Sequence, residues 1–247
     1  MKDINELNIK VVARIRSDFP DKFGIPRQSG LLKNLRSTIV FEPEFRNADA
    51  LRGLDGFSHL WLLWIFSENV RDTWKPTVGP PRLGGNTRLG VFATRSSFRP
   101  NPLAMSCVKI ESVNLTGEGA PSITVSGADL MDGTPIVDIK PYLPYADSVP
   151  EAIGGFAEAV RFKKLEVSFA TEAQAVLDGT GFAPDAAGVK VPAEKKAALV
   201  ELLSEDPRPA YQRSADRIYG IRFAGFEIKF QVQGDHLTVV AILPLQA

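Results

Sequence analysis

Cysteine occurs once in this chain, as Cys107, so no disulfide can close within it and a cysteine-built zinc site is excluded. Histidine occurs only as His59 and His236, too few for a multi-histidine metal centre. Net charge is missing as well. With 29 basic and 29 acidic residues, any contact with nucleic acid has to come from a local patch. The longest apolar run, Leu60–Phe66, is too short to cross a bilayer as a helix. The opening MKDINELNIK carries charges where a signal peptide needs an apolar core. The expectation is a soluble, cytoplasmic protein with no metal and no membrane contact. Walker A, GxSxG, HExxH and CxxC motifs are also absent, and Gly84-Gly85 lacks the spaced third glycine of a dinucleotide fingerprint. A Rossmann cofactor site or a nucleotide-hydrolysing site is therefore not expected.

What is present is an ordinary core-forming composition, 44% hydrophobic over 247 residues. The first part reads as short strands between Gly/Pro turns: Ile9–Arg16, Ser37–Phe41, Phe57–Phe66, Leu89–Thr94, Leu103–Val113, Ser122–Ala128 and Thr134–Ile139. Ala48–Leu54 reads as a helical turn and Arg71–Asn86 as a long loop. The aromatic run Phe57–Phe66 suggests a strand buried on both faces. Beyond residue 160 the grammar changes. Strand Leu165–Ala170 precedes helices Thr171–Asp178 and Ala193–Glu205, the second with an apolar face of Ala197, Leu199, Val200, Leu202 and Leu203. Strands Ile218–Phe223, Glu227–Val232 and His236–Leu243 follow, the last two joined through Gly234-Asp235. The expected fold is mainly β with an α+β appendage: a small antiparallel β-barrel over 1–160, then a smaller α+β domain over 161–247.

From Arg71 to Arg99 six basic residues face a single acidic one, Asp72, with Trp74, Phe92 and Phe98 interleaved. That pattern suits looped RNA, where bases stack on rings and phosphates meet arginines. A solvated loop facing acidic neighbours accounts for the same composition. Within it, GVFATRSSFRPNPLAMSCVKI (Gly90–Ile110) sets Arg95 and Arg99 on a segment stiffened by Pro100-Asn101-Pro102. Upstream, Arg27 can hold a carboxylate and Gln28 can read a purine edge, or both sit on a plain surface turn. His59 is either a satisfied core residue or the mark of a ligand-bearing strand end. Asp129-Leu130-Met131-Asp132-Gly133 puts two carboxylates on one turn, able to meet ribose hydroxyls or a cation, or simply to cap the turn. Cys107 reads as a small core residue.

Four blocks are similar to the TsaA-like (TrmO) family: KFGIPRQSG, ADALRGLDGFSHLWLLWIF, PPRLGGNTRLGVFATRSSFRPNPLAMS and DLMDGTPIVDIKPYLPYADS. DPRPAY at Asp206–Tyr211 adds a fifth, whereas Gly179–Lys195 carries no recognisable match. The resemblance implies a β-barrel methyltransferase that uses S-adenosyl-L-methionine. Its target is N6 of N6-threonylcarbamoyladenosine at position 37, in the anticodon stem-loop of a threonine tRNA. It also implies a homodimer with the cofactor near the subunit interface, and a C-terminal domain that positions tRNA. The implied cofactor positions are Pro26, Arg27, Gln28, His59, Leu60, Arg95, Leu103, Asp129, Leu130, Met131 and Asp132. Asp132 and Asp138 are candidates for accepting the proton that the acylated N6 must lose. Tyr142 is a weaker candidate, because a free tyrosine hydroxyl keeps its proton at neutral pH. Arg99, Arg208 and Tyr211 are candidates for holding the substrate, the arginines through its carboxylate. Another methyl acceptor, or a non-enzymatic RNA-binding barrel, are the competing functions.

Overall fold

Short strands with one apolar face can hide that face by curling into a closed sheet, and this chain does so. The computed structural model describes residues 6–80, 83, 87–159, 164–180, 190–208, 214 and 216–245. Six antiparallel strands close the barrel: β1 (Ala13–Arg16), β2 (Arg36–Phe41), β3 (His59–Ile65), β6 (Leu103–Asn114), β7 (Ser122–Ser126) and β8 (Pro135–Pro141). They run in the order β1-β2-β7-β6-β3-β8, and β8 pairs back to β1. The two-stranded β4 (Thr77–Val78) and β5 (Leu89–Gly90) stand apart as a small ribbon. The short helices α1 (Pro144–Asp147) and α2 (Phe156–Ala159) follow the barrel.

Ala13, Ile15, Ile39, Leu60, Leu62, Val108, Ile123, Val125, Leu130 and Ile136 fill the barrel, each almost wholly hidden. β3 therefore alternates instead of being buried on both faces. Leu60, Leu62 and Trp64 point inward, while His59, Trp61, Leu63 and Ile65 stay half-buried outside. A closed barrel has one interior, so a continuous apolar run leaves half its side chains on the outer wall. Cys107 sits there too, opposite Trp61, and is not a core residue. Burial pushes its thiol pKa up and Asp147 adds to that, so it is a poor nucleophile.

The expected strand Leu89–Thr94 stops at Gly90. Val91–Ala93 forms a 3-10 turn whose first carbonyl is claimed locally, since Thr94 donates to the Val91 carbonyl from its amide at 3.1 Å and from Oγ1 at 2.9 Å.

The second sheet orders β10 (Tyr219–Phe223), β11 (Phe226–Gln233), β12 (His236–Pro244) and β9 (Glu166–Phe169), with β9 parallel to β12. Helices α3 (Thr171–Asp178) and α4 (Ala193–Ser204) share its core. On α4 the buried face is Ala198, Leu199, Leu202 and Leu203, which keeps the three expected leucines but not Ala197 and Val200. Ala197 and Val200 are exposed, because the i, i+4 pairs 198/202 and 199/203 meet the sheet. Phe19, Leu32 and Leu35, from the N-terminal half of the chain, complete this second core. Polar ties join the two halves: Lys195 Nζ meets Asp18 Oδ2 at 2.6 Å, and Asn34 donates to the Glu201 carboxylate at 2.7 and 3.0 Å.

Candidate functional site

At the rim of the barrel, where β3 ends and β6 begins, lies a cavity of about 540 Å³. Four segments meet around it: the loop Ile25–Gln28, the strand end Leu63–Asn69, the basic loop at Thr94–Arg99, and the turn Asp129–Thr134. Each is fixed by local chemistry. The first loop is clamped where the Gly30 amide donates to the Gly127 carbonyl at 2.8 Å. A Cβ on Gly127 would come within 3.2 Å of the Gly30 backbone, so the approach needs a glycine there. The turn at 129–134 is laced to the end of β1. Ser17 Oγ donates to the Leu130 carbonyl at 2.9 Å and the Gly133 amide donates to the Ile15 carbonyl at 2.8 Å.

Polar groups converge on the cavity. Arg95 Nη1 donates to Gln28 Oε1 at 2.5 Å, and Gln28 Nε2 donates to the Arg27 carbonyl at 2.5 Å. Opposite them Asp129 accepts from Ser106 Oγ at 2.5 Å, while Ser106 Oγ accepts from the indole of Trp64 at 2.9 Å. The Trp64 contact commits the serine proton to Asp129. Burial holds the Asp129 carboxyl above the ordinary aspartate value. The Ser106 hydrogen bond and the charge of Arg95 pull the other way without cancelling it. Arg99 turns back on its own loop, donating from Nη1 to the carbonyls of Thr94 at 2.9 Å and Ser96 at 3.5 Å. None of the described hydrogen bonds uses its Nε or Nη2. Trp64, Phe66, Leu103, Met105 and Met131 supply apolar wall.

Of the residues singled out in the sequence, the cavity gathers Pro26, Arg27, Gln28, Arg95, Arg99, Leu103, Asp129 and Met131. It does not gather the others. Leu60 and Leu130 point into the barrel core. His59 lies four residues before Leu63, the first residue of β3 at the cavity, about 13 Å along the strand, where Nδ1 meets Ser58 Oγ at 2.9 Å. Asp132 braces the turn, accepting from the Ser17 amide at 3.0 Å with Arg16 3.6 Å away. Asp138 accepts from the Ile139 amide at 2.9 Å and pairs with Lys140 at 2.8 Å on the outer wall. Tyr142 packs against Trp61, ring centres 5.7 Å apart.

Arg208 grips Asp206 through two bonds of 2.7 and 2.9 Å, which hold its pKa above the ordinary guanidinium value. Arg27 Nη2 donates to the Asp206 carbonyl at 3.0 Å, which ties Asp206 to the Ile25–Gln28 loop. Tyr211 lies outside the described residues. The sequence reading missed Phe66, Ser67 and Glu68. The signal available was the change from an apolar strand to Ser-Glu-Asn, which starts a 3-10 turn at Ser67–Asn69.

The cavity suits a small ligand carrying a carboxylate, polar hydroxyl or amino groups and an apolar body. A fixed cation, an amide and a carboxylate converge within apolar walls, and the volume falls in the usual range for such sites. Among the described residues no group of acidic, histidine or cysteine side chains is placed to hold a metal ion.

The tRNA-methyltransferase O N-terminal domain model matches residues 14–148, and the corresponding C-terminal domain model matches residues 162–245. The chain is 37% identical over 248 residues to the tRNA (adenine(37)-N6)-methyltransferase of Escherichia coli, covering 98% of this chain and all of that one. A second protein of that name, from Eikenella corrodens, is 39% identical over 77% of this chain and 99% of its own. A Pseudomonas aeruginosa protein described as an S-adenosylmethionine-dependent methyltransferase is 40% identical over 90% of each chain. A crystal structure of TrmO from Pseudomonas aeruginosa superposes with a TM-score of 0.76 at 31% identity, covering 99% of this chain and 100% of that chain.

Proposed function

The chain belongs to the TrmO family, and on that premise we propose that it methylates N6 of adenosine 37 in tRNA with S-adenosyl-L-methionine as donor. The finer substrate we propose is N6-threonylcarbamoyladenosine in the anticodon stem-loop of a threonine tRNA, in the cytoplasm. The observation that carries the reading is the rim cavity where Arg95, Gln28 and Asp129 converge beside a basic, aromatic loop. Those residues fit the donor. Arg95 offers a permanent cation to its carboxylate, Asp129 and Gln28 offer partners to its amino or hydroxyl groups, and the apolar wall covers the rest. When bound, the donor supplies an electrophilic methyl group whose transfer neutralises a sulfonium.

The chain's own residues then have two tasks. One is alignment in a site shut off from water, worth up to about 7–11 kcal/mol in favourable cases. The rigid rim and its laced turns serve this. The other is to receive the N6 proton. Asp129 is the cavity carboxylate whose affinity for a proton is raised, so we assign it that task in place of Asp132 and Asp138. Arg99, with Nε and Nη2 unused by the loop, is the arginine we assign to the threonylcarbamoyl carboxylate. The fork of Arg208 already holds Asp206.

A homodimer is part of the proposal. The outer wall carries Trp61, Leu63, Ile65, Leu103 and Met105 as a continuous apolar stripe, and the last four also line the cavity. A second copy seated there would flank the site.

The deciding measurement is methyl transfer from labelled donor to threonine tRNA with and without the threonylcarbamoyl group. Transfer confined to the modified tRNA, and lowered about tenfold or more by Arg99→Lys with donor affinity unchanged, supports the reading. Equal transfer to both tRNAs would sink the finer substrate. Failure on both would sink the activity.

A further inference from the structure

The loop from Arg71 to Arg99 holds more chemistry than the cavity uses. Trp74 is 50% exposed and Phe92 73%, with ring centres 6.1 Å apart and planes tilted by 37°. Beside them the Arg71 guanidinium lies 4.1 Å from the ring centre of the exposed Phe98. Neither Trp74 nor Phe92 belongs to either core. The backbone presenting them is fixed without them: β4 pairs β5, and Arg88 crosses the ribbon to Thr77 Oγ1 at 2.9 Å and the Thr77 carbonyl at 2.6 Å. Two large rings held in water on a fixed ribbon invite a flat partner.

The charges beside the rings point the same way. Among the described residues, Arg71, Lys75, Arg88, Arg95 and Arg99 make no ion pair. Elsewhere on the N-terminal half Lys10, Arg14, Arg16, Arg52, Lys109 and Lys140 each reach a carboxylate, whereas Lys22, Lys33, Arg36 and Arg46 show no described ion pair either, so what marks the loop is five such cations gathered beside exposed rings. The rings thus share a surface with unneutralised cations, and the same loop continues through Arg95, Ser97 and Arg99 into the cavity. Charge complementarity selects a polyanion with exposed aromatic faces, which is unpaired nucleic acid.

We propose that Trp74 and Phe92 form a stacking platform for an unpaired base adjoining the one that enters the cavity, with Arg71, Lys75 and Arg88 facing the neighbouring phosphates. This rests on the reading of the substrate as tRNA. Stacking accepts any base, so the platform sets seating and affinity and leaves identity to the cavity.

The test uses the full chain saturated with S-adenosylmethionine. The Trp74→Ala/Phe92→Ala pair is expected to raise the KM for tRNA about 5- to 150-fold, with the cofactor Kd unchanged by calorimetry. In the wild type, a synthetic anticodon stem-loop quenches tryptophan emission and a blunt duplex of the same stem does not. Trp74→Phe removes that component while keeping most of the affinity. An unchanged KM in the double variant overturns the platform and leaves the methyltransferase reading intact. If the wild-type chain methylates no tRNA, that reading fails and the quenching decides alone. A stem-loop signal lost in Trp74→Phe upholds the platform, and no such signal overturns it. A double variant that sediments differently yet binds the stem-loop normally assigns the rings to a second copy and overturns it as well.

Discussion

At the His59 end of β3, polar groups are matched within the chain. His59 Nδ1 meets Ser58 Oγ at 2.9 Å, and Asp147 accepts from the Trp61 indole at 3.0 Å and the Leu143 amide at 2.8 Å. Glu111 takes Lys109 at 3.0 Å and Ser126 at 2.7 Å. At the Ile65 end, Arg95 and Arg99 have no described carboxylate partner, and Asp129 keeps a raised proton affinity next to open space. Both ends hold a carboxylate, a cation and aromatic rings, so residue type does not separate them. Unused polar capacity facing a cavity does, because burying unmet groups costs free energy that only a ligand repays.

Asp129→Asn tests this difference most strongly. As proton acceptor, its loss lowers kcat by about 10²–10⁴-fold. It also removes the acidic limb of the kcat–pH profile, a limb that in the wild type lies above the ordinary aspartate range. The same change should stabilise the chain. A carboxyl whose folded pKa exceeds its unfolded one is favourable only while protonated, and it loses that advantage as pH rises through the folded value. At neutral pH, Asp129→Asn removes the penalty, and Tm rises by roughly 2–4 °C if the gain is near 1 kcal/mol. Asp147→Asn at the far end should leave kcat within about twofold. Comparable losses from both variants would break the distinction between the ends.

Arg95→Ala comes next. Removing a partly enclosed cation from a ligand carboxylate costs about 2–5 kcal/mol, so S-adenosylmethionine binding by calorimetry should weaken at least about 30-fold. Arg52→Ala, on an exposed pair with Asp49, is the control and should change nothing measurable. If Arg95→Ala binds the cofactor normally, the Gln28–Arg95 bond is only a brace and the cavity's cation is Arg27 or Arg99.

The barrel was legible because Gly/Pro punctuation and alternating strands leave few alternatives once the chain is cut into short β segments. The Asp129–Gly133 turn and the Arg95 segment were legible for the same reason: charge on stiff, kinked backbone has no place in a core. Three features were hidden. The 3-10 turn at Val91–Ala93 depends on a threonine claiming a carbonyl, which strand propensity does not register. The brace roles of Asp132 and Arg208 depend on partners more than a hundred residues away or on a local bidentate grip. Which end of Phe57–Phe66 bears the site depends on where β6 and the loop at 129 meet it. A histidine drew attention to the other end of that strand, which within one chain lies away from the cavity.

The outer stripe gives a smaller, structural contrast. Met105 is 53% exposed on β6, opposite Leu63 and beside the cavity. If a second copy covers it, Met105→Glu buries an unpaired charge at the contact and shifts the sedimentation profile toward monomer, with Tm falling as the association is lost. Lys109→Glu, four positions along the same strand and face, should shift it less, because Lys109 is already paired at the matched end. A monomeric wild type would remove the stripe from the account and leave the cavity unchanged.

The smallest effect belongs to His59. Within one chain its ring lies about 13 Å along β3 from Leu63, where the cavity begins, satisfied by Ser58 and edge-on to Tyr142 with centres 6.2 Å apart. His59→Ala should therefore change cofactor affinity less than about twofold, since a half-buried outer-wall side chain distant from a ligand seldom contributes more than about 0.5 kcal/mol to its binding. The value of this variant lies in its failure. His59 shares the outer face with Trp61 and Leu63, so a tenfold loss of affinity could reach the cavity only through a second copy laid across the stripe. Repeating the titration at protein concentrations on either side of dimer dissociation separates the cases. A loss present only in the dimer would mean that the far end of one barrel completes the near end of another.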